Sequence, residues 1–286
     1  MLEELRELWK YRMLLAVMVR RELKIRYKNS VLGFFWSLIN PLVTVVVMTF
    51  VFKYIMGVSV PNYSAYILAG YLPFTFFQLA LMDSAQSVLG SLQLVRKIYF
   101  PREILPLTYV IANFVHLILA IAMFFVYLAV IYIRHPQELP FRPTVALLPL
   151  LLLINLFLAT GLSLLISALN VFYEDVKYIV QIITYLLLFL CPVMYFSEQV
   201  RYSNMFGGGG RWVYVIYHLN PVAEMVTAYR KVLLAPQAVV ARGGGTYPAL
   251  PLDWRLLTIT GVFSVFILWY GYRTFNKLKW RFVERT

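Results

Sequence analysis

His116, His135 and His218 are the only histidines, and no two fall at a spacing that could share a metal ion. Cys191 is the only cysteine, which excludes an internal disulfide or a multi-thiol centre; set in an apolar run, it reads as a packing residue. The Gly207–Gly210 run leads into Arg211-Trp212 and not into a Lys-Ser/Thr opening a helix, so it is no phosphate loop for ATP. No Ser-His-Asp order and no paired carboxylates point to hydrolysis. Asp83, followed by Ser84, Gln86 and Ser87 in an apolar stretch, is the one acid expected at membrane depth. An ionisable group there is costly, so Asp83 and Gln86 mark either a functional polar site or an interhelical hydrogen bond. Neither catalysis nor a metal or cofactor held by this chain is expected.

Aromatic rings offer a different chemistry. They make up 17% of the chain and cluster at Phe34-Phe35-Trp36, at Tyr71, Phe74, Phe76 and Phe77, and at Tyr195-Phe196. Part of this is the belt that membrane proteins place at both interfaces. The remainder suits a conduit, because ring faces stack on sugars without demanding one pattern of hydroxyls; the candidates are Phe34, Trp36, Tyr71, Phe74, Tyr195 and Phe196. Phe34-Phe35-Trp36 covers most of one helical turn, so at most two of the three can face one cavity.

The elements that carry these residues are membrane helices. Of 286 residues 61% are hydrophobic and 14% charged, where a soluble domain has roughly a quarter charged. The expected fold is an all-α integral membrane protein with six spans, near 32–56, 65–91, 101–133, 145–169, 178–196 and 256–273. Residues 1–30 precede them as an amphipathic helix lying in the interface, with Arg20, Arg21, Lys24 and Arg26 as its basic face. Glu3, Glu4 and Glu7 mixed with Arg6, Lys10 and Arg12 do not make a signal peptide. Residues 31–286 form the six-span domain, and no internal repeat divides it.

The net charge of +13 records topology and anionic lipid headgroups, not nucleic acid, since the basic residues flank spans. Seventeen of the 26 lysines and arginines fall on the side that holds both termini, which places the termini in the cytoplasm. The external segment 197–254 lacks a run long enough to cross. In it, Trp212, Tyr214 and Tyr217 precede Asn220-Pro221, a cap and first-turn proline. Glu224 early and Arg230 and Lys231 late in the next helix suit its dipole. Two short helices dipping into or lying on the outer leaflet are expected.

Five stretches stand out along the chain: Arg26-Tyr27-Lys28-Asn29-Ser30-Val31-Leu32-Gly33-Phe34-Phe35-Trp36 with Asn40-Pro41-Leu42, then Arg96-Lys97-Ile98-Tyr99-Phe100-Pro101-Arg102-Glu103-Ile104-Leu105-Pro106, then Glu174-Asp175-Val176, Pro192-Val193-Met194-Tyr195, and Leu219-Asn220-Pro221 with Tyr229-Arg230. The whole resembles the type-2 ATP-binding-cassette exporter permeases that move O-antigen, capsule and teichoic acid. Glu174 departs from it, Arg being expected before the Asp. The resemblance implies a half-transporter: a homodimer of this chain forms the pore, and two separate nucleotide-binding subunits hold ATP and Mg and drive it. It implies that connector 93–103 couples to the ATPase through Arg96, Lys97, Ile98, Tyr99, Phe100, Arg102 and Glu103, apolar anchors in a polar rim. It also implies that Trp212, Tyr214, Tyr217, Asn220 and Pro221 belong to an external gate. The expected cargo is a lipid-linked polysaccharide crossing the bacterial inner membrane. Drugs or other lipids are the alternative cargo, and a membrane glycosyltransferase the distant one.

Overall fold

The computed structural model describes residues 2–26, 28, 35–57, 62–134, 142–202, 210–236, 238–240 and 246–282. Expectations for Asn29, Ser30 and Phe34, and for the Gly207 and Gly243 runs, lie outside them. The fold is helical apart from one antiparallel pair of two-residue strands, β1 Val239–Val240 and β2 Thr246–Tyr247.

The N-terminal helix comes in two pieces, α1 (Leu2–Lys10) and α2 (Arg12–Arg26), meeting at Tyr11, whose N–H is shared between the Glu7 and Leu8 carbonyls. Leu8, Tyr11, Leu14, Leu15 and Met18 pack inward, while Trp9, Met13 and Val17 are exposed on the opposite flank. A helix with protein on one side and exposed indole and aliphatic groups on the other suits a membrane surface.

Among the described residues four helices are long and apolar enough to cross a membrane: α4 (Tyr63–Ala85), α6 (Ile104–Arg134), α7 (Leu148–Phe172, entered through the 3-10 turn Pro143–Leu147) and α12 (Trp254–Leu278). The other two expected spans are shorter apolar helices. α3 (Phe35–Thr49) carries Pro41 inside it and continues as a π-helix over Phe50–Ile55. α8 (Val176–Leu190) has 15 residues, about 22 Å of rise against a core of about 30 Å. Of the six expected spans, four are thus full-length helices among the described residues, while α3 and α8 are shorter apolar helices. The reason is local: α8 ends at Cys191, and Pro192 has no N–H to continue the helix.

Around α4 the core gathers. Its buried side chains pack against α6, α7 and the short helix α11 (Pro221–Leu233), with α9 (Ser197–Arg201) and α10 (Gly210–His218) before it. α7 and α12 cross at backbone contact: a Cβ on Gly271 would stand 2.0 Å from the Gly161 carbonyl oxygen, so only glycine permits this approach. A second cluster joins Phe100, Ile104 and Leu105 to Phe275 and Phe282, with α1 and α2 against it. By contrast, α3 exposes Val43, Val46 and Val47 and the π-helix after it Phe50 and Tyr54, while α8 exposes Tyr178, Ile182, Tyr185, Leu186 and Phe189. Such flanks belong against lipid or another chain, never against water.

Candidate functional site

At the end of α2 the chain turns one basic residue inward. Arg20, Arg21 and Lys24 are exposed, whereas the Arg26 guanidinium reaches between α4 and α6. One of its nitrogens donates to Asp83 Oδ2 at 2.7 Å and the other to Asn113 Oδ1 at 2.8 Å. The Asn113 amide donates in turn to Asp83 Oδ2 at 2.8 Å, closing a three-residue ring. Glu22, one turn back on α2, stands 3.9 Å from Arg26. Desolvation raises the Glu22 pKa, opposed by Arg26. Asp83 is thus satisfied by a charge and an amide from two other helices, which is how a carboxylate is tolerated at depth. Its partners are not Ser84, Gln86 or Ser87: the two serines donate to α4 carbonyls, and Gln86 is exposed at the helix end.

Above this ring lies a cavity of about 520 Å³ between α3, α4 and α6. Trp36 and Asn40 of α3, Tyr71 and Gln78 of α4, and Asn113 and His116 of α6 line it, with Arg26 at its base. On α4, Tyr71, Thr75 and Gln78 recur at helical spacing and share this face. Of the six conduit candidates the structure brings two together here, Trp36 and Tyr71. Phe74 is buried on another face of α4, beside Asn155 and Val222. Phe196 is buried with its ring 4.2 Å from Tyr66, and Tyr195 bonds its hydroxyl to that of Tyr217. Phe74 and Phe196 are therefore packing residues in this protomer.

Connector residues divide in the same way. α5 (Leu92–Lys97) ends at Ile98 and Tyr99, exposed at 59% and 70% beside exposed Lys97. The Tyr99 hydroxyl donates to Glu7 of α1 at 3.1 Å, and that bond is the chief cause of its raised pKa. Phe100 and Glu103 face the other way, 5% and 2% exposed. This corrects their assignment to a docking patch. Phe100 fills the lower core, and Glu103 pairs with Lys279 at 2.7 Å. Arg102 donates to the Lys279 carbonyl, and burial lowers its pKa. Ion pair and hydrogen bond together fasten the connector to the end of α12. Nothing is described of the Arg96 side chain.

On the far side, Asn220 caps α11 as expected, accepting from the Val222 N–H at 3.1 Å, with Pro221 in the first turn. Trp212 is exposed, while Tyr214 is buried against His218, ring centroids 4.0 Å apart. Arg230 does more than complement a helix dipole. Buried, it donates to the carbonyls of Tyr66 at 2.9 Å, of Tyr195 at 3.2 Å, and of Pro192 and Val193, and its guanidinium lies 3.9 Å over the Tyr66 ring. Gly70 leaves the room: a Cβ there would stand 2.7 Å from Arg230 Nε. One cation thus ties α11 to α4 and to the chain leaving α8. Among the described residues no group of three or more His, Cys, Asp or Glu could hold a metal ion.

Residues 13–234, from α2 to the end of α11, match the ABC-2 type transporter family. The chain belongs to that family. It is a transporter permease subunit, multi-pass in the membrane, and not itself an enzyme. It is 29% identical over 273 residues to an O-antigen export system permease protein of Klebsiella pneumoniae, covering 95% of this chain and 94% of the relative. It is 28% identical over 284 residues to a protein of the same name in Myxococcus xanthus, covering 99% of each. The matched region contains the Arg26 ring, the connector and the Arg230 cage. α12 lies beyond it.

Proposed function

We propose that this chain is the permease subunit of an ATP-driven exporter that moves lipid-linked O-antigen polysaccharide across the bacterial inner membrane. The observation that carries it is the nearly full-length similarity to permeases of that name, at least 94% of each chain. Two copies form the pore, and two nucleotide-binding subunits, which hold the ATP and Mg, dock on the cytoplasmic face. Support for docking comes from Lys97, Ile98 and Tyr99, an exposed apolar pair beside a cation, reached by α1 through Glu7. Support for a second copy comes from the exposed apolar flanks of α3 and α8. In the assembled membrane protein those two helices complete six crossings, both termini are cytoplasmic, and α10 with α11 forms the outer gate.

The test is replacement. A strain lacking its own O-antigen permease, supplied with this chain and its cognate ATPase, should recover long-chain polymer on its surface lipopolysaccharide. Undecorated lipid A-core, with the chain present in the inner membrane, would refute the reading.

A further inference from the structure

We propose that the cavity between α3, α4 and α6 is a subsite for an uncharged sugar ring, an inference resting on the polysaccharide cargo proposed above. Its walls present the amides of Asn40 and Gln78 and the rings of Trp36 and Tyr71, while Asn113 is committed to the Arg26 ring at the base. At membrane depth such groups are tolerated only where they meet protein, water or a polar ligand. Amides donate to and accept from hydroxyls, and the two ring systems offer faces for the C–H side of a pyranose. A volume of about 520 Å³ lies within the range of small-molecule sites.

Charge selects between the two ends of a lipid-linked glycan. Among the described residues Arg26 is the one charged group lining the cavity, and it is already engaged by Asp83 at 2.7 Å and Asn113 at 2.8 Å. A phosphate entering here would have to compete with a carboxylate for that guanidinium, and would meet the Asp83 charge behind it. A neutral ring meets neither cost. The exposed Arg20, Arg21 and Lys24 on the same helix are free of that competition and suit the carrier's phosphates outside the cavity.

The experiment uses the full chain with its ATPase partner in nanodiscs and reads saturation-transfer NMR from uncharged methyl glycosides of mannose, galactose and N-acetylglucosamine. Gln78→Leu and Tyr71→Leu remove an amide and a ring while leaving the Arg26 ring of bonds intact. Transfer to at least one glycoside is expected in the wild type, weaker by about fivefold to tenfold in each variant, and unchanged by added pyrophosphate. No transfer to any glycoside, equal transfer in variants that elute as the native complex, or displacement by pyrophosphate would each overturn the subsite. Trp36→Phe, which keeps a ring face, should retain transfer. Polymer restored in cells without glycoside transfer would sink the subsite alone; transfer without polymer would sink the proposed cargo alone.

Discussion

Replacing Lys279 with Met tests whether the end of α12 holds the connector in place. Its ammonium lies 2.7 Å from Glu103 Oε1, with the two side chains 10% and 2% exposed. Removing one partner strands the other charge in a site with little access to water, which costs about 3–5 kcal/mol. Removing both leaves no uncompensated charge, and well-packed neutral replacements of a buried pair are often neutral in stability. Lys279→Met and Glu103→Gln should therefore each destabilise by that amount, while the double variant recovers at least about 2 kcal/mol over either single. The donor from Arg102 goes to the Lys279 backbone carbonyl and survives all three changes. Denaturation in detergent gives the cycle, and hydrogen exchange over 98–105 and 275–282 shows where protection is lost. If the two single costs simply add in the double variant, or each stays below about 1 kcal/mol, the pair does not fasten the connector.

Reversing the Arg26–Asp83 pair should behave similarly on a smaller scale, since both side chains are about a quarter exposed. Arg26→Asp and Asp83→Arg should each cost about 1–2 kcal/mol and lower export, with the double reversal recovering both because Asn113 can serve either arrangement; a double variant as inactive as the singles would contradict this. Ile98→Ala with Tyr99→Ala should abolish stimulation of the partner ATPase without lowering the unfolding midpoint. Phe100→Ala should instead lose about 3–5 kcal/mol of stability, and an unchanged midpoint would show that Phe100 is not a core residue. Glu224, in the short helix α11, has its pKa raised by burial from 4.5 to about 8. The native state then keeps a proton that the unfolded chain has lost, so stability is fullest below 4.5 and falls as pH rises toward 8. Glu224→Gln should flatten that slope, and a stability profile matching the wild type would remove Glu224 as its source.

Local patterns were legible where one stretch of chain holds all the participants. Asn220-Pro221 announces the start of α11 because the cap and its acceptor lie two residues apart. The amphipathic face of residues 1–30, the apolar runs and the basic connector follow equally from neighbours in sequence. Span five, expected over 178–196, ends sooner in the structure, because apolar composition runs on past the point where α8 breaks at Cys191-Pro192. Arg26 and Asp83 were both singled out, yet nothing local says that they meet across 57 residues, or that Asn113 closes the ring. Glu103 looked like a rim charge because its cation, Lys279, lies 176 residues away. Phe100 looked like an anchor beside Ile98 and Tyr99, and only the backbone turn after α5 sends it inward.

Composition and periodicity by themselves determined that this chain lives in a membrane, which segments are apolar helices, and where the positive charge gathers, since those depend on transfer from water to lipid residue by residue. Tertiary structure alone decided which polar groups satisfy one another. A charge or amide at depth must find a partner, but the partner comes from whichever helix the fold brings alongside, as with Arg230 and the four carbonyls around it. The same holds for Gly161 and Gly271, whose bare backbones matter only because α7 and α12 cross there.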